Sequence, residues 1–174
     1  MAAMLLLHAC SSDDVYTVYS KYRASFSYER VMTAEPLRSA LTSPGEFCII
    51  TVGISTLNFQ SLSLSYSDPI TASTMFYKSY RCMSMDGFIV GKANQLEMNE
   101  DELKIVCFDI ACSNCYHEDN VHSRLSLQEN GVAYCKRCKR HYRMNDTGLA
   151  NEGGRPLERY HISYDGSNRM VISN

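Results

Sequence analysis

The sequence predicts an all-β fold, and three observations support that prediction. Apolar side chains alternate with polar ones, on odd positions at Leu57 and Phe59 and on even positions over residues 62–66. Such alternation is typical of strands with one buried face. The pair Asn130-Gly131, between two further short runs, is typical of a β-hairpin turn. No segment has the 3.6-residue periodicity of a long helix.

The N-terminal part is predicted to combine strands with one short helix. Residues 15–19 and 22–28 are rich in Tyr, Val, Phe and Ser, which indicates a strand or a strand pair. Pro36 stands near the first position of a predicted helix of one or two turns over residues 36–41. Pro44 and the glycine that follows it end this helix.

Further strands are predicted in the middle of the chain. The apolar run 47–52 ends at a glycine and indicates a buried strand. The phase of the alternation changes near residues 60–61, which indicates a bulge or a turn, because a one-residue slip exchanges the two faces of a strand. After this change the inward-facing side chains are expected at Leu62, Leu64 and Tyr66. Residues 74–80 are predicted to form another strand.

The C-terminal half is also predicted to consist of strands. The run 87–91 lies between two glycines, and residues 103–109 lead into a cysteine pair. Residues 124–134 are predicted to form a hairpin. Alternating side chains over 160–164 and the apolar run 170–172 indicate the last two strands.

Composition places the chain among ordinary globular proteins. It has 174 residues, of which 45% are apolar and 21% are charged, so a core can be buried without help from a metal. The formal net charge of -2 disfavours extensive nucleic-acid binding. No apolar run approaches the ~20 residues that a membrane-spanning helix needs.

The N-terminal residues resemble the end of a bacterial lipoprotein signal. A short apolar run reaches Leu7, Ala9 precedes Cys10, and the polar residues 11–14 follow as a tether. We therefore expect residues 1–14 to be a truncated signal and tether, with Cys10 lipidated as the first mature residue. The protein would then be anchored to a membrane of the cell envelope, on the periplasmic or cell-surface side. The alternative is an N-terminus that merely contains a cysteine.

Three cysteines lie outside any motif: Cys48, Cys82 and Cys107. An extracytoplasmic protein can hold disulfides, so a bridge among them is one interpretation. Free cysteines are more often small buried apolar side chains. We favour burial, because three cysteines leave one without a partner.

Four other cysteines form the strongest motif of the chain. Cys112-Ser113-Asn114-Cys115 and Cys135-Lys136-Arg137-Cys138 are two Cys-x-x-Cys knuckles with 19 residues between them. Each pair can turn around one ion, and the intervening hairpin can bring the pairs together into a tetrahedral site. Both knuckles are expected at strand ends, on loops. Two local disulfides or a redox dithiol are the alternatives.

From about residue 87 to the C-terminus the chain resembles a Rieske-type domain. The resemblance is carried by residues 107–116, 131–138 and 155–160, and it is closest to Rieske-like bacterial lipoproteins with a cysteine pair in each cluster-loop position. It implies one domain over residues 15–174, with a metal-binding subdomain at about 103–150. The implied fold is a stack of small antiparallel sheets in which two loops present the metal.

The resemblance leaves the ligand set open. A Rieske cluster uses Cys-x-His in one loop and Cys-x-x-His in the other. Cys115-Tyr116-His117 matches the first motif, but Cys138 stands where the second histidine belongs. A [2Fe–2S] centre held by Cys115, His117, Cys135 and Cys138 would leave Cys112 without a role. We therefore favour the four knuckle cysteines, with zinc ahead of a single iron or an iron–sulfur centre.

The predicted function is that of a non-enzymatic metal-binding lipoprotein with a mainly structural site. Four cysteines leave zinc no open position for a substrate, and no histidine has a partner that suggests a catalytic triad. The alternative is electron transfer by a Rieske-type or single-iron centre. A thiol–disulfide oxidoreductase is disfavoured, because the chain lacks the βαβ setting of such enzymes.

Basic residues crowd around the second knuckle. One interpretation is an anion-binding tip, another is compensation for the negative charge of a metal–thiolate centre, and a third is a solvated hairpin. We favour the last two over nucleic-acid binding. The residues are Lys136, Arg137, Lys139, Arg140, His141 and Arg143.

Overall fold

The computed structural model describes residues 19–70, 87–97 and 100–174. These residues form two antiparallel sheets and two short α-helices, so the all-β prediction is confirmed. Cys10, Cys82 and the strand predicted over 74–80 lie outside the described residues. Among the described helices, none is both long and apolar enough to cross a membrane.

The larger sheet has eight strands, and every neighbouring pair is antiparallel. Within the described residues, the first strand of this sheet pairs with the last. In spatial order the strands are β1 (Ser25–Tyr28), β12 (Met170–Ser173), β11 (Arg159–Tyr164), β6 (Ile105–Asp109), β5 (Phe88–Lys92), β2 (Phe47–Val52), β3 (Thr56–Gln60) and β4 (Ser65–Pro69).

One face of this sheet packs against the first helix, α1 (Glu35–Thr42), which confirms the predicted helical turns. Pro36 lies in its first turn, and Leu37 and Leu41 are buried in the core that α1 shares with the sheet. The two edge strands also meet: Tyr28 on β1 donates a hydrogen bond of 2.9 Å to Asp68 on β4. The sheet therefore curls around this core.

The smaller sheet has four strands and lies within residues 125–150. Its strands have two to four residues each, and neighbouring strands again run antiparallel. In spatial order they are β10 (Leu149–Ala150), β9 (His141–Arg143), β8 (Val132–Cys135) and β7 (Leu125–Gln128). A second core lies between the two sheets and includes Phe108 from the larger sheet and Tyr142 from the smaller.

Two predicted turns are confirmed. β7 and β8 form the predicted hairpin, with Asn130 and Gly131 at φ of 61° and 67°. This conformation is costly for most residues and is tolerated by Asn and Gly, which explains the pair in the sequence. The phase change near residue 60 is a turn between β3 and β4, closed by a hydrogen bond of 2.9 Å from the Ser61 N–H to the Leu64 carbonyl.

Two local predictions are wrong. Leu62 and Leu64 do not face inward but are 57% and 48% exposed, because both lie in the turn rather than in a strand. The first knuckle does not lie wholly on a loop: Cys115 belongs to the second helix, α2 (Ser113–Asp119). Seven residues are too few for an apolar periodicity to be visible in the sequence.

Two of the isolated cysteines are free and buried, as predicted. Cys48 on β2 and Cys107 on β6 both pair with Val90 on the strand between them. Their Cα atoms are therefore two strand spacings apart, about 9.5 Å. A disulfide requires less than about 7 Å. Both side chains are fully buried and act as small apolar groups in the core that contains α1.

Candidate metal centre

The first knuckle joins strand β6 to helix α2. Cys112 precedes the helix in an extended conformation, and its carbonyl accepts a hydrogen bond of 3.0 Å from the Tyr116 N–H. Cys115 follows one helical turn later, and its backbone N–H points back to the Cys112 sulfur. The helix ends at Asn120, which adopts a left-handed conformation with φ of 53°. This tight turn directs both sulfurs to the same side.

The second knuckle is the turn that joins β8 to β9. Cys135 is the last residue of β8, and Lys139 closes the turn with φ of 62° and a hydrogen bond of 2.9 Å to the Cys135 carbonyl. The backbone N–H groups of Arg137 and Cys138 point at the Cys135 sulfur. Each knuckle thus directs at least one amide donor at its first sulfur, and such donors stabilise a thiolate.

The four knuckle sulfurs converge on one point between the sheets. All four Sγ atoms lie within 4.8 Å of one another. Across the knuckles, the Sγ atoms of Cys112 and Cys138 are 3.5 Å apart, and those of Cys115 and Cys135 are 3.7 Å apart. Cys112, Cys115 and Cys135 are at most 1% exposed, whereas Cys138 is partly exposed.

This arrangement fits a metal ion. A metal–sulfur distance of ~2.3 Å places the sulfurs of a regular tetrahedron ~3.8 Å apart, close to the two separations across the knuckles. Both separations are far longer than the ~2.05 Å of a disulfide bond. The four cysteines are therefore positioned to hold a metal ion, as the spacing of the knuckles predicts. Thiolate donors suit zinc and iron alike.

Two hydroxyl groups lie within hydrogen-bonding distance of the sulfurs. Tyr142 Oη lies 3.1 Å from Cys112 Sγ, and Ser123 Oγ lies 3.4 Å from Cys135 Sγ. Each hydroxyl can donate to a thiolate and disperse its charge. The Asn114 backbone N–H in turn bonds to Tyr142 Oη, which fixes the hydroxyl between the two knuckles.

The thiol pKa values diverge within the cluster. Burial raises the pKa of Cys112 to about 11, against the opposing effect of the hydrogen bond from Tyr142. Burial, followed by hydrogen bonding to the neighbouring cysteines, raises the pKa of Cys115 further. Burial also tends to raise the pKa of Cys135. Hydrogen bonds from Ser123 and from the amide groups of the turn outweigh this effect and lower the pKa to about 6. Without a metal, the cluster therefore holds both thiols and a thiolate near neutral pH.

The histidines lie around the sulfur cluster rather than in it. In the described residues, the cluster of ligand atoms consists of the four cysteines alone. His117 Nε2 lies 2.9 Å from Glu158 Oε1. His122 is exposed, and His161 stacks on the Tyr19 ring at the surface.

Much of the basic charge around the second knuckle is paired. Arg137 contacts Asp119 at 3.2 Å, Arg143 contacts Asp146 at 3.2 Å, and His141 contacts Glu152 at 2.6 Å. Arg140 contacts Cys138, and this side-chain interaction raises the pKa of the guanidinium. One cation is thus directed at a ligand sulfur, in line with the charge-compensation interpretation.

Sequence reasoning missed the groups that orient the sulfurs. Tyr142 lies between the partly exposed His141 and the exposed Arg143 on β9, so alternation along this short strand was the signal that it faces inward. Ser123 and Glu158 carry no signal of this kind, because they lie in irregular segments that approach the knuckles only in the folded chain.

Comparisons of the chain with protein-family models, with curated proteins and with solved structures find no match. The support for the metal site comes instead from the convergence of the four sulfurs. The resemblance to Rieske-type domains remains a prediction from sequence motifs.

Proposed function

We propose that this protein is a non-enzymatic, lipid-anchored, extracytoplasmic Rieske-like domain in which four cysteines hold a structural zinc ion. The convergence of Cys112, Cys115, Cys135 and Cys138 is the observation that carries the proposal. When bound, zinc supplies a four-way crosslink between the two knuckles.

A structural role is favoured because the donor set is closed. Catalytic zinc sites keep a position for water beside three protein ligands, whereas four thiolates fill a tetrahedron. Three of the four cysteines are buried in the core between the sheets, so a substrate has no path to that side. The crosslink would tie α2 to the β8–β9 turn, two short elements with few apolar side chains of their own.

The Rieske-like assignment is supported by the position of the knuckles. One follows β6 of the larger sheet and the other ends β8 of the smaller sheet, as the two cluster loops of a Rieske-type domain are expected to do. His117 fits the Cys-x-His motif but contacts Glu158, which favours the four-cysteine set over the mixed set. The replacement of the second histidine by Cys138 converts a redox motif into a structural one.

Metal analysis of the purified protein tests the proposed function. We expect a colourless protein that contains about one zinc ion per chain, because the donor set describes a single closed site. The measurement is elemental analysis together with a visible absorption spectrum. Absorption that bleaches on reduction would replace this proposal with the electron-transfer alternative. Metal-free protein with cysteines that cycle between thiol and disulfide would favour a redox dithiol instead.

The proposed anchor is tested at Cys10. Full-length protein is expected in the membrane fraction, and Cys10→Ser is expected to shift it to the soluble fraction, because a lipid chain on this cysteine would provide the attachment. Mass spectrometry of the N-terminal peptide should detect the lipid. The control is Cys48→Ser, which removes a buried cysteine and should leave the protein with the membrane. A membrane-bound Cys10→Ser variant would refute the anchor.

A further inference from the structure

The four cysteines of the candidate metal centre are not equally accessible. Cys112, Cys115 and Cys135 are buried, with at most 1% of each residue exposed. Cys138 is the one member of the cluster that is partly exposed. A small reagent in solution therefore reaches the cluster at Cys138 first.

Two short sulfur–sulfur contacts within the cluster cross between the knuckles. The exposed Cys138 lies beside Cys112, with 3.5 Å between the Sγ atoms. The second pair, Cys115 and Cys135, is buried, with 3.7 Å between the Sγ atoms. Of these two contacts, only the first includes an accessible sulfur, and Cys112 is the partner that Cys138 contacts across the knuckles.

We propose that Cys138 is a site of oxidation by hydroperoxides and that Cys112 then forms a disulfide with it, which releases the metal. The inference rests on the proposed function, since it concerns the metal-bound form of the site. The class of reagent is a hydroperoxide, such as hydrogen peroxide, because it is small enough to reach one partly exposed sulfur.

The reaction balances in two steps. The Cys138 thiolate attacks one peroxide oxygen, the O–O bond breaks, and the departing hydroxide takes a proton to become water. The Cys112 thiolate then attacks the sulfur of the resulting sulfenic acid, the S–O bond breaks, and a second water leaves after protonation. Two thiolates, one hydrogen peroxide and two protons thus give one disulfide and two waters. Two cysteines remain as donors, too few to retain zinc.

Arg140 stands at the reactive end of this pair. Its Nε donates a hydrogen bond of 3.0 Å to the Gly153 carbonyl, which holds the side chain near the second knuckle. Its guanidinium also contacts Cys138. A guanidinium at this position can donate a hydrogen bond to a hydroperoxide that approaches Cys138.

The test uses the zinc-bound wild-type protein and hydrogen peroxide. We expect release of about one zinc per chain into a chromogenic chelator, in step with the loss of about two thiols. Peptide mapping by mass spectrometry should find a Cys112–Cys138 disulfide, with Cys115 and Cys135 still reduced. A thiol reductant should restore zinc binding. A first disulfide between Cys115 and Cys135, or zinc retained while Cys138 is oxidised, would overturn the inference.

Two matched substitutions sharpen the test. Cys138→His keeps four possible zinc ligands but removes the accessible sulfur, so peroxide-driven release should slow by about tenfold or more. Cys115→His makes the same exchange in the buried pair, and release should continue through Cys112 and Cys138. Equal rates in the two variants would contradict the inference.

The outcomes separate this inference from the proposed function. If the protein binds zinc but shows no Cys112–Cys138 disulfide after peroxide treatment, the oxidation site alone is refuted. Purified wild-type protein without zinc refutes the proposed function and the oxidation site together. If either substitution prevents folding, the disulfide map of the wild-type chain still decides the question.

Discussion

Cys112→Ser is expected to release the metal and to lower the free energy of unfolding by at least about 3 kcal/mol, because the ion it releases contributes ~10–16 kcal/mol in zinc-binding peptides. The Tyr142 hydroxyl, which lies 3.1 Å from Cys112 Sγ, would also lose its sulfur partner. The measurements are zinc content after gel filtration and urea denaturation followed by circular dichroism.

The control for this substitution is Cys48→Ser. Cys48 is equally buried but belongs to the core that contains α1, not to the metal centre. Cys48→Ser should lower the free energy of unfolding by about 1–3 kcal/mol, because it buries a hydroxyl group, and should leave the zinc content unchanged. Metal retained at one ion per chain in Cys112→Ser would refute the four-cysteine assignment. That result would favour the set Cys115, His117, Cys135 and Cys138.

Zinc affinity is expected to fall at least about a hundredfold for each pH unit between pH 8 and pH 6. In the metal-free cluster, burial raises the pKa of Cys112 to about 11 and the pKa of Cys115 further, so both are thiols in this range. Zinc must displace both protons. Two protons released per ion correspond to about two decades of affinity per pH unit.

The direction of this pH dependence follows from whether the zinc-bound or the metal-free form of the site binds protons. Zinc-bound thiolates carry none, whereas metal-free thiols do, so acid favours the metal-free form and affinity is lost as the pH falls. The pKa of Cys135 is lowered to about 6, so this sulfur adds a further proton, and a steeper loss, only below that pH. Competition with a chromogenic chelator at several pH values measures the slope.

The control for the pH dependence is His117→Gln. His117 contacts Glu158 and lies outside the sulfur cluster, so its removal should leave the slope unchanged. A flatter slope in this variant would mean that the histidine takes part in the site. Affinity of the wild-type protein that does not vary with pH would contradict thiolate ligation altogether.

The β-structure was predictable where sequence signals are local. The run over residues 47–52 coincides with β2, and Asn130-Gly131 marks the hairpin between β7 and β8. A strand with one buried face leaves a visible alternation, and a tight turn requires particular residues. Leu62 and Leu64 were misplaced because alternation alone does not distinguish a strand from the turn that follows it.

The candidate ligands were predictable, but their surroundings were not. Two thiolates need a tight turn between them to hold one ion, and the Cys-x-x-Cys spacing reflects this turn. The motif can therefore be recognised from the sequence alone. Tyr142, Ser123 and Glu158 contact partners that lie 30, 12 and 45 residues away in the chain, so only folding brings these groups together. Helix α2 is a short element that depends on its tertiary contacts rather than on intrinsic propensity.

The sequence by itself determined that this chain is an all-β protein with two cysteine knuckles, since both properties depend on residue types at short, fixed spacings. Tertiary structure alone decided which sulfurs face each other and which is open to solvent. The pairing of Cys112 with Cys138, and the burial of Cys115 against Cys135, arise where α2 meets the β8–β9 turn. Accessibility depends on the packing of distant segments, and no local pattern encodes it.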